Sequence, residues 1–273
     1  MQGVSRETFS AGQERLETLL ARSAARADAA AVGGDLFGVT DVLAANPGLR
    51  RALTDPSRDG EAKAQLMTRL LAGKVGNLTI DLLAGLVRGR WSRAGDLVDA
   101  VEQLAVNAVL AAAEQAGRLD AVEDELFRFS RIVAGDQGLR DAFSTRTEGA
   151  EHKAALVRRL LVGKVAPETV RLAVQAAVAP RGVRTEQVLE RCVEAAAQRR
   201  QQLVAHVVAA LPLTEAQRAR LGAVLQRQYG RPIRLNIDVD PDVVGGVRVE
   251  VAGEVVDGTV SARLDEARRR LAG

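Results

Sequence analysis

Residues 49–75 read LRRALTDPSRDGEAKAQLMTRLLAGKV, and residues 139–165 read LRDAFSTRTEGAEHKAALVRRLLVGKV. The two stretches align without a gap at an offset of 90 residues, the step from Val75 to Val165. Leu49, Arg50, Ala52, Glu61, Lys63, Ala64, Leu66, Arg69, Leu70, Leu71, Gly73, Lys74 and Val75 all recur at that offset. The match reaches back to Leu36-Phe37 and Leu126-Phe127. Self-similarity at a fixed period marks duplicated structural units, and two copies are too few for a solenoid. The expectation is a pair of related domains.

Each copy patterns as helix. Leu156, Leu160 and Leu161 share one side of a helix that Gly163 ends as a C′ residue. Pro167 suits the first turn of the next helix, Val170, Ala173, Val174, Ala177 and Val178 form its apolar stripe, and Pro180 stops it. In the first copy Leu82, Leu83, Leu86 and Val87 form the matching stripe, with Arg88-Gly89-Arg90 as the break. Further helices are expected over about 5–27, with Leu16, Leu19 and Leu20 inward, over 184–202, and over 96–117, the last crossing from one copy to the next.

Near Leu203 the character changes. LVAHVVAAL (203–211) is short and rich in β-branched residues, which predicts a strand. Thr214 and Gln217 make a capping-box pattern for a helix with Leu221, Val224 and Leu225 on its apolar face, ended by Gly230. PIRLNIDV (232–239) alternates, with Ile233, Leu235, Ile237 and Val239 on one face. Val247, Val249 and Val251 continue the alternation, Ala252 to Glu254 reads as a turn, and VVDGTV (255–260) as a further strand. Ser261 would cap a last helix that turns Leu264, Ala267 and Leu271 inward. The fold class is therefore mainly α: two related helical bundles, 1–102 and 103–202, and a small α/β module, 203–273. A module of about 70 residues is marginal alone and is expected to lean on a neighbour.

Composition narrows the function classes. Hydrophobic residues at 47% and charged residues at 27% describe a soluble globular chain, and 3% aromatics imply close-packed Ala/Leu helices. The net charge of +3 is spread among interleaved acids and bases, mainly the pattern of a solvated surface, with an acidic partner as the second option. A single cysteine, Cys192, excludes an internal disulfide and points to a reducing compartment. The charged N-terminal stretch does not read as a signal peptide, and no apolar run approaches a membrane span.

No catalytic constellation emerges. Gly73-Lys74 and Gly163-Lys164 are each followed by Val and lack the preceding glycine of a phosphate loop. Gly245-Gly246 opens into a strand, so the amides of a helix N-terminus are missing, and the pair reads as a bend between strands. His152 and His206 lie in different units, the first a surface residue and the second a structural one; Cys192 reads as a core thiol. Trp91 either covers the end of a bundle or anchors an interface. Arg268-Arg269-Arg270 suits a helix C-terminus, and the few aromatics argue against nucleic acid. No catalytic, cofactor or metal residue is assigned, and no small-molecule substrate is expected.

The C-terminal stretch 211–271 resembles the δ subunit of F-type ATP synthase, the counterpart of the mitochondrial oligomycin-sensitivity-conferring protein. Asp240, Pro241, Gly245, Gly246, Asp257, Gly258 and Thr259 fill that family's ordered signature, here given a structural role. Ala252-Gly253 departs from the family's usual turn, which implies a slightly shifted turn. Residues 108–133, with 139–143 and 153–165, resemble the family's six-helix N-terminal domain, and the extra copy before it resembles the long actinobacterial form. The resemblance implies a non-catalytic stator subunit without cofactor. Its partners would be the N-terminal segments of α subunits in the α3β3 head and the b subunits of the peripheral stalk. It would resist rotor torque, couple proton translocation to ATP synthesis, and sit peripherally at the cytoplasmic face of the cell membrane. The alternative is a helical adaptor not tied to ATP synthase.

Overall fold

A computed structural model of the chain describes residues 3–22, 26–145, 149–201, 203–230, 232–240, 243, 245–251 and 254–257. The chain divides into two compact units, Met1–Ala197 and Gln198–Gly273. The first is built from α1 (Val4–Arg22), α2 (Arg26–Ala45), α3 (Pro47–Thr54), α4 (Gly60–Leu71), α5 (Asn77–Arg88) and α6 (Ala94–Gln115). It continues through α7 (Leu119–Gly135), α8 (Gln137–Ser144), α9 (Ala150–Leu161), α10 (Pro167–Val178) and α11 (Thr185–Gln201), of which residues 198–201 fall in the second unit.

The repeat is carried into three dimensions. Helices α3 and α8, α4 and α9, and α5 and α10 each begin and end 90 residues apart. Shifted back by the same offset, α6 overlies α1; shifted forward, it overlies α11. One helix thus closes the first copy and opens the second, and the 102/103 division falls inside it. A single hydrophobic cluster runs through both copies, from Leu16 to Ala196, with Leu97, Val101, Leu104, Ala105 and Ala108 of α6 buried along its length.

Matching sites use matching chemistry. Gly73 and Gly163 take φ of +71° and +78° just past α4 and α9, the left-handed conformation that glycine adopts without a Cβ penalty. Arg50 donates to the carbonyls of Leu43 and Ala44 at 2.8 and 2.6 Å, and Arg140 donates to that of Ala134, so each arginine satisfies the end of the preceding helix. Asp35 accepts from the Gly76 amide (2.8 Å) and Thr79 hydroxyl (2.9 Å) at the start of α5. Glu125 does the same for Ala166 (2.9 Å) and Thr169 (2.5 Å) at the start of α10. A carboxylate from one helix therefore caps the N-terminus of another, where the exposed amides favour negative charge.

Of the helix expected over 5–27, residues 23–25 lie outside the described residues. Helix α1 is described as far as Arg22, and α2 from Arg26. Helix α2 has weak periodicity because it is covered on more than one side: Leu36 and Leu43 join the first bundle, while Gly33 abuts α6.

The second unit holds β1 (Leu203–Ala209), α12 (Glu215–Tyr229), β2 (Ile233–Val239), β3 (Val247–Val251) and β4 (Glu254–Asp257). The sheet order is β2-β1-β3-β4. Strands β1 and β2 are parallel and need a crossover, which α12 provides. The Thr214/Gln217 capping box starts α12, and Gly230 ends it at φ +66°. Ala205, Val207, Ile237, Val249 and Val251 meet Leu225 of α12 in a small core. Strand β4 ends at Asp257; the rest of 255–260 and the proposed last helix, with Ser261 and Arg268-Arg269-Arg270, lie outside the described residues.

Candidate interaction surfaces

The described signature residues, Asp240, Gly245, Gly246 and Asp257, lie at one end of the sheet. Strand β1 lies between β2 and β3, so the connection over 240–246 does not turn directly from one neighbour to the next, as a simple bend would. The strands it joins, β2 and β3, stand two strand spacings or about 10 Å apart with β1 between them. The Asp240 amide donates to the Ala209 carbonyl at the end of β1 (3.0 Å), and the Gly245 amide donates to Val243 (2.8 Å). Gly245 and Gly246 both have positive φ, +65° and +83°, so the return into β3 uses the backbone freedom of two glycines. Asp257 pairs with Arg248 in the β3–β4 register. Pro241, Gly258 and Thr259 lie outside the described residues.

The Trp91 ring is buried and its indole N–H donates to the Leu86 carbonyl (3.3 Å), so the ring covers the end of α5 and offers no exposed anchor. Cys192 is buried in α11, and burial pushes its thiol pKa up to about 12. His152 is exposed at the start of α9. His206 lies in β1, in register with Asn236 and Glu250. Among the described residues no group of three or more His, Cys, Asp or Glu could hold a metal ion, and no helix is long and apolar enough to cross a membrane.

What the first unit does contain is a set of polar contacts between the two copies. Arg171 of α10 donates to the Ala30 carbonyl of α2. Asp41 of α2 faces Gln175 of α10; burial raises its pKa, while Gln175 and Arg181 pull it down. Arg181, in the α10–α11 turn, has φ +50°, a conformation rare for a non-glycine residue. Its guanidinium is held by Asp99 and by Glu102 at 2.7 Å, both on the shared helix α6. Burial likewise raises the Glu102 pKa against the pull of Arg181. Periodicity gives no sign of Arg171 or Arg181, since an arginine on a helix or in a turn has no pattern of its own. The adjacent Gly33-Gly34 in an apolar stretch was the readable signal of a close approach.

The sequence model of the family described as "ATP synthase delta (OSCP) subunit" matches residues 106–271. The chain belongs to that family. "ATP synthase subunit delta" of Kineococcus radiotolerans is 55% identical over 271 residues, covering 99% of this chain and 98% of the relative. The protein of the same description from Streptomyces griseus subsp. griseus is 50% identical over 273 residues, 100% of both chains. The family relationship therefore includes the first copy as well as the part that the family's model spans. A chain of the Toxoplasma gondii mitochondrial ATP synthase hexamer shows 22% identity over 62% of this chain, at a TM-score of 0.29 that does not bear on the fold.

Proposed function

We propose that this δ-family chain is a non-catalytic peripheral-stalk subunit that links the α3β3 head to the b-subunit stalk. It holds N-terminal segments of α subunits and the stalk's b subunits, and so opposes the torque of the rotor and keeps proton translocation coupled to ATP synthesis. Its place is peripheral, at the cytoplasmic face of the cell membrane. The observation that supports this most is the shared helix α6 inside a hydrophobic cluster common to both copies. A link that transmits torque must not hinge between its parts, and interiors packed as densely as crystals transmit strain. The three sequence units, 1–102, 103–202 and 203–273, would then offer separate attachment surfaces, the signature Asp240, Pro241, Gly245, Gly246, Asp257, Gly258 and Thr259 shaping the third.

Reconstitution tests the reading. Membranes stripped of this protein should lose ATP-driven proton pumping and regain it when the full chain is added back. Purified chain should bind the isolated head and peptides from the b subunit. Failure to restore pumping, or failure to bind either partner, overturns the reading.

A further inference from the structure

The two copies fasten the turn before their last helix with different chemistry. In the second copy Arg181, in the turn from α10 to α11, donates to Asp99 and Glu102 of α6. Ninety residues earlier the same three positions carry Trp91, Phe9 and Gly12. There the closure is apolar. Trp91 is buried, Phe9 packs on the same cluster, and a Leu86 methyl stands 2.7 Å from where a Cβ on Gly12 would be. The duplicated frame therefore needs no charge at this junction, and apolar residues at such a place are often as stable as an ion pair. What a charged closure adds is a response to charge.

The side chains of Arg181 and Glu102 are each 24% exposed, and that of Asp99 44%, so Glu102 is the more buried of the two carboxylates. Burial raises the Glu102 pKa; Arg181 and, from α11, Arg191 pull it down, while Asp99 beside it on α6 raises it further. Asp41 of α2 also feels Arg181. The Glu102 charge acts on the Cys192 thiol, which places the carboxylate near α11. Arg181 sits at φ +50°, a backbone state that persists only where its surroundings hold it. Helix α11 gives Leu189, Cys192 and Ala196 to the buried cluster, fewer apolar groups than α6 gives, and elements with few such contacts open first.

We propose that the α10–α11 turn is a latch, in which Arg181 is the counter-charge that lets Glu102 stay buried and so keeps α11 seated in the common core. Without the guanidinium, Glu102 is a buried carboxylate short of its partner, and lifting α11 to admit water relieves it. Protonation is the other relief. A carboxyl whose pKa is raised in the seated state binds a proton more readily there than when opened, so falling pH favours the seated state. The latch belongs to the chain alone, whatever its surfaces bind.

The test uses the full chain, whose only cysteine reports on α11. Cys192 is buried, so a thiol reagent reaches it when α11 lifts. Arg181→Gly removes the guanidinium and is at ease at positive φ, so it takes away the charge without adding backbone strain. At about pH 8 this variant should be labelled about tenfold faster than the wild type, or more. Adding Glu102→Gln should bring the rate back to within about threefold of the wild type, because the two sites are coupled. In the wild type, hydrogen-exchange protection of the α11 amides, corrected for intrinsic rates, should rise as pH falls from about 7 toward the ordinary glutamate value of about 4.3, and the rise should be absent in Glu102→Gln. An Arg181→Gly chain labelled no faster than the wild type overturns the latch. So does a double variant labelled as fast as the single one, since the shape of the turn and not the Glu102 charge would then matter. A wild-type protection that stays flat or falls with pH, or a rise that persists in Glu102→Gln, overturns it as well.

Discussion

Gly33 sits where α2 comes closest to α6. A Cβ there would lie 2.7 Å from a Val109 methyl and 3.3 Å from the Ala105 carbonyl oxygen, and the latter is backbone that cannot swing away. Gly33→Leu should therefore destabilise the first unit by about 1–3 kcal/mol, the usual cost of overpacking, read from chemical denaturation. Gly38, in the same helix, has nothing within 4 Å of its missing Cβ. Gly38→Ala should instead gain roughly 0.5–1 kcal/mol from helix propensity, which separates packing from propensity within one helix. Cys192 makes a different statement. Its folded pKa of about 12 stands above the ordinary thiol value, so the unfolded thiol ionises first. Its contribution to stability is whole below the unfolded pKa of about 8.5 and is lost as pH rises from there toward 12. In Cys192→Ala the alkaline fall in stability should be shallower over that range. A native thiol that reacts with a disulfide reagent at neutral pH as fast as the unfolded chain does would contradict the burial.

At the scale of elements, the paired carboxylate caps are the sharpest feature. Asp35 holds the start of α5 and Glu125 the start of α10, each through one backbone amide and one threonine hydroxyl. Removing either as Asp35→Ala or Glu125→Ala should cost about 0.5–2 kcal/mol, the range for losing an N-cap. The two sites are in different copies with no partner in common, so the double variant should lose close to the sum, measured as a shift in denaturation midpoint. The repeat made the helices with their own apolar stripe legible: α4, α5, α9 and α10 follow from Leu, Val and Ala spacing, and Gly73 and Gly163 mark where two of them stop. Helix α2 was hidden, because a helix covered on several sides loses its period and its glycines look like loop residues. The carboxylate caps were hidden too, since Asp35 and Gly76 are distant in sequence and differ in type from Glu125 and Ala166. In the second unit, alternation gave the strands, but only the sheet order shows that β1 lies between β2 and β3.

For the whole molecule, the shared helix changes what a duplicated chain means. Two domains joined by a linker could unfold separately and could each be removed. Here α6 begins at Ala94 and contributes Leu97, Val101, Leu104 and Ala108 to one cluster with both copies, so a deletion of residues 1–100 cuts through the helix that opens the second copy. The role of the first copy is better probed by surface variants than by truncation. The cooperativity itself can be measured, because Trp91 is the chain's only tryptophan and lies in the first copy, packed at the end of α5. Leu172 lies in α10 of the second copy and is fully buried. Leu172→Ala should cost about 2–5 kcal/mol at its own site. If the copies unfold as one body, the Trp91 fluorescence transition must move to lower denaturant by that same free energy, although the ring and the mutated site are in different copies. A Trp91 midpoint that stays in place while hydrogen exchange in α10 accelerates would mean two independent bodies. That result would remove the mechanical argument for a stiff link between head and stalk.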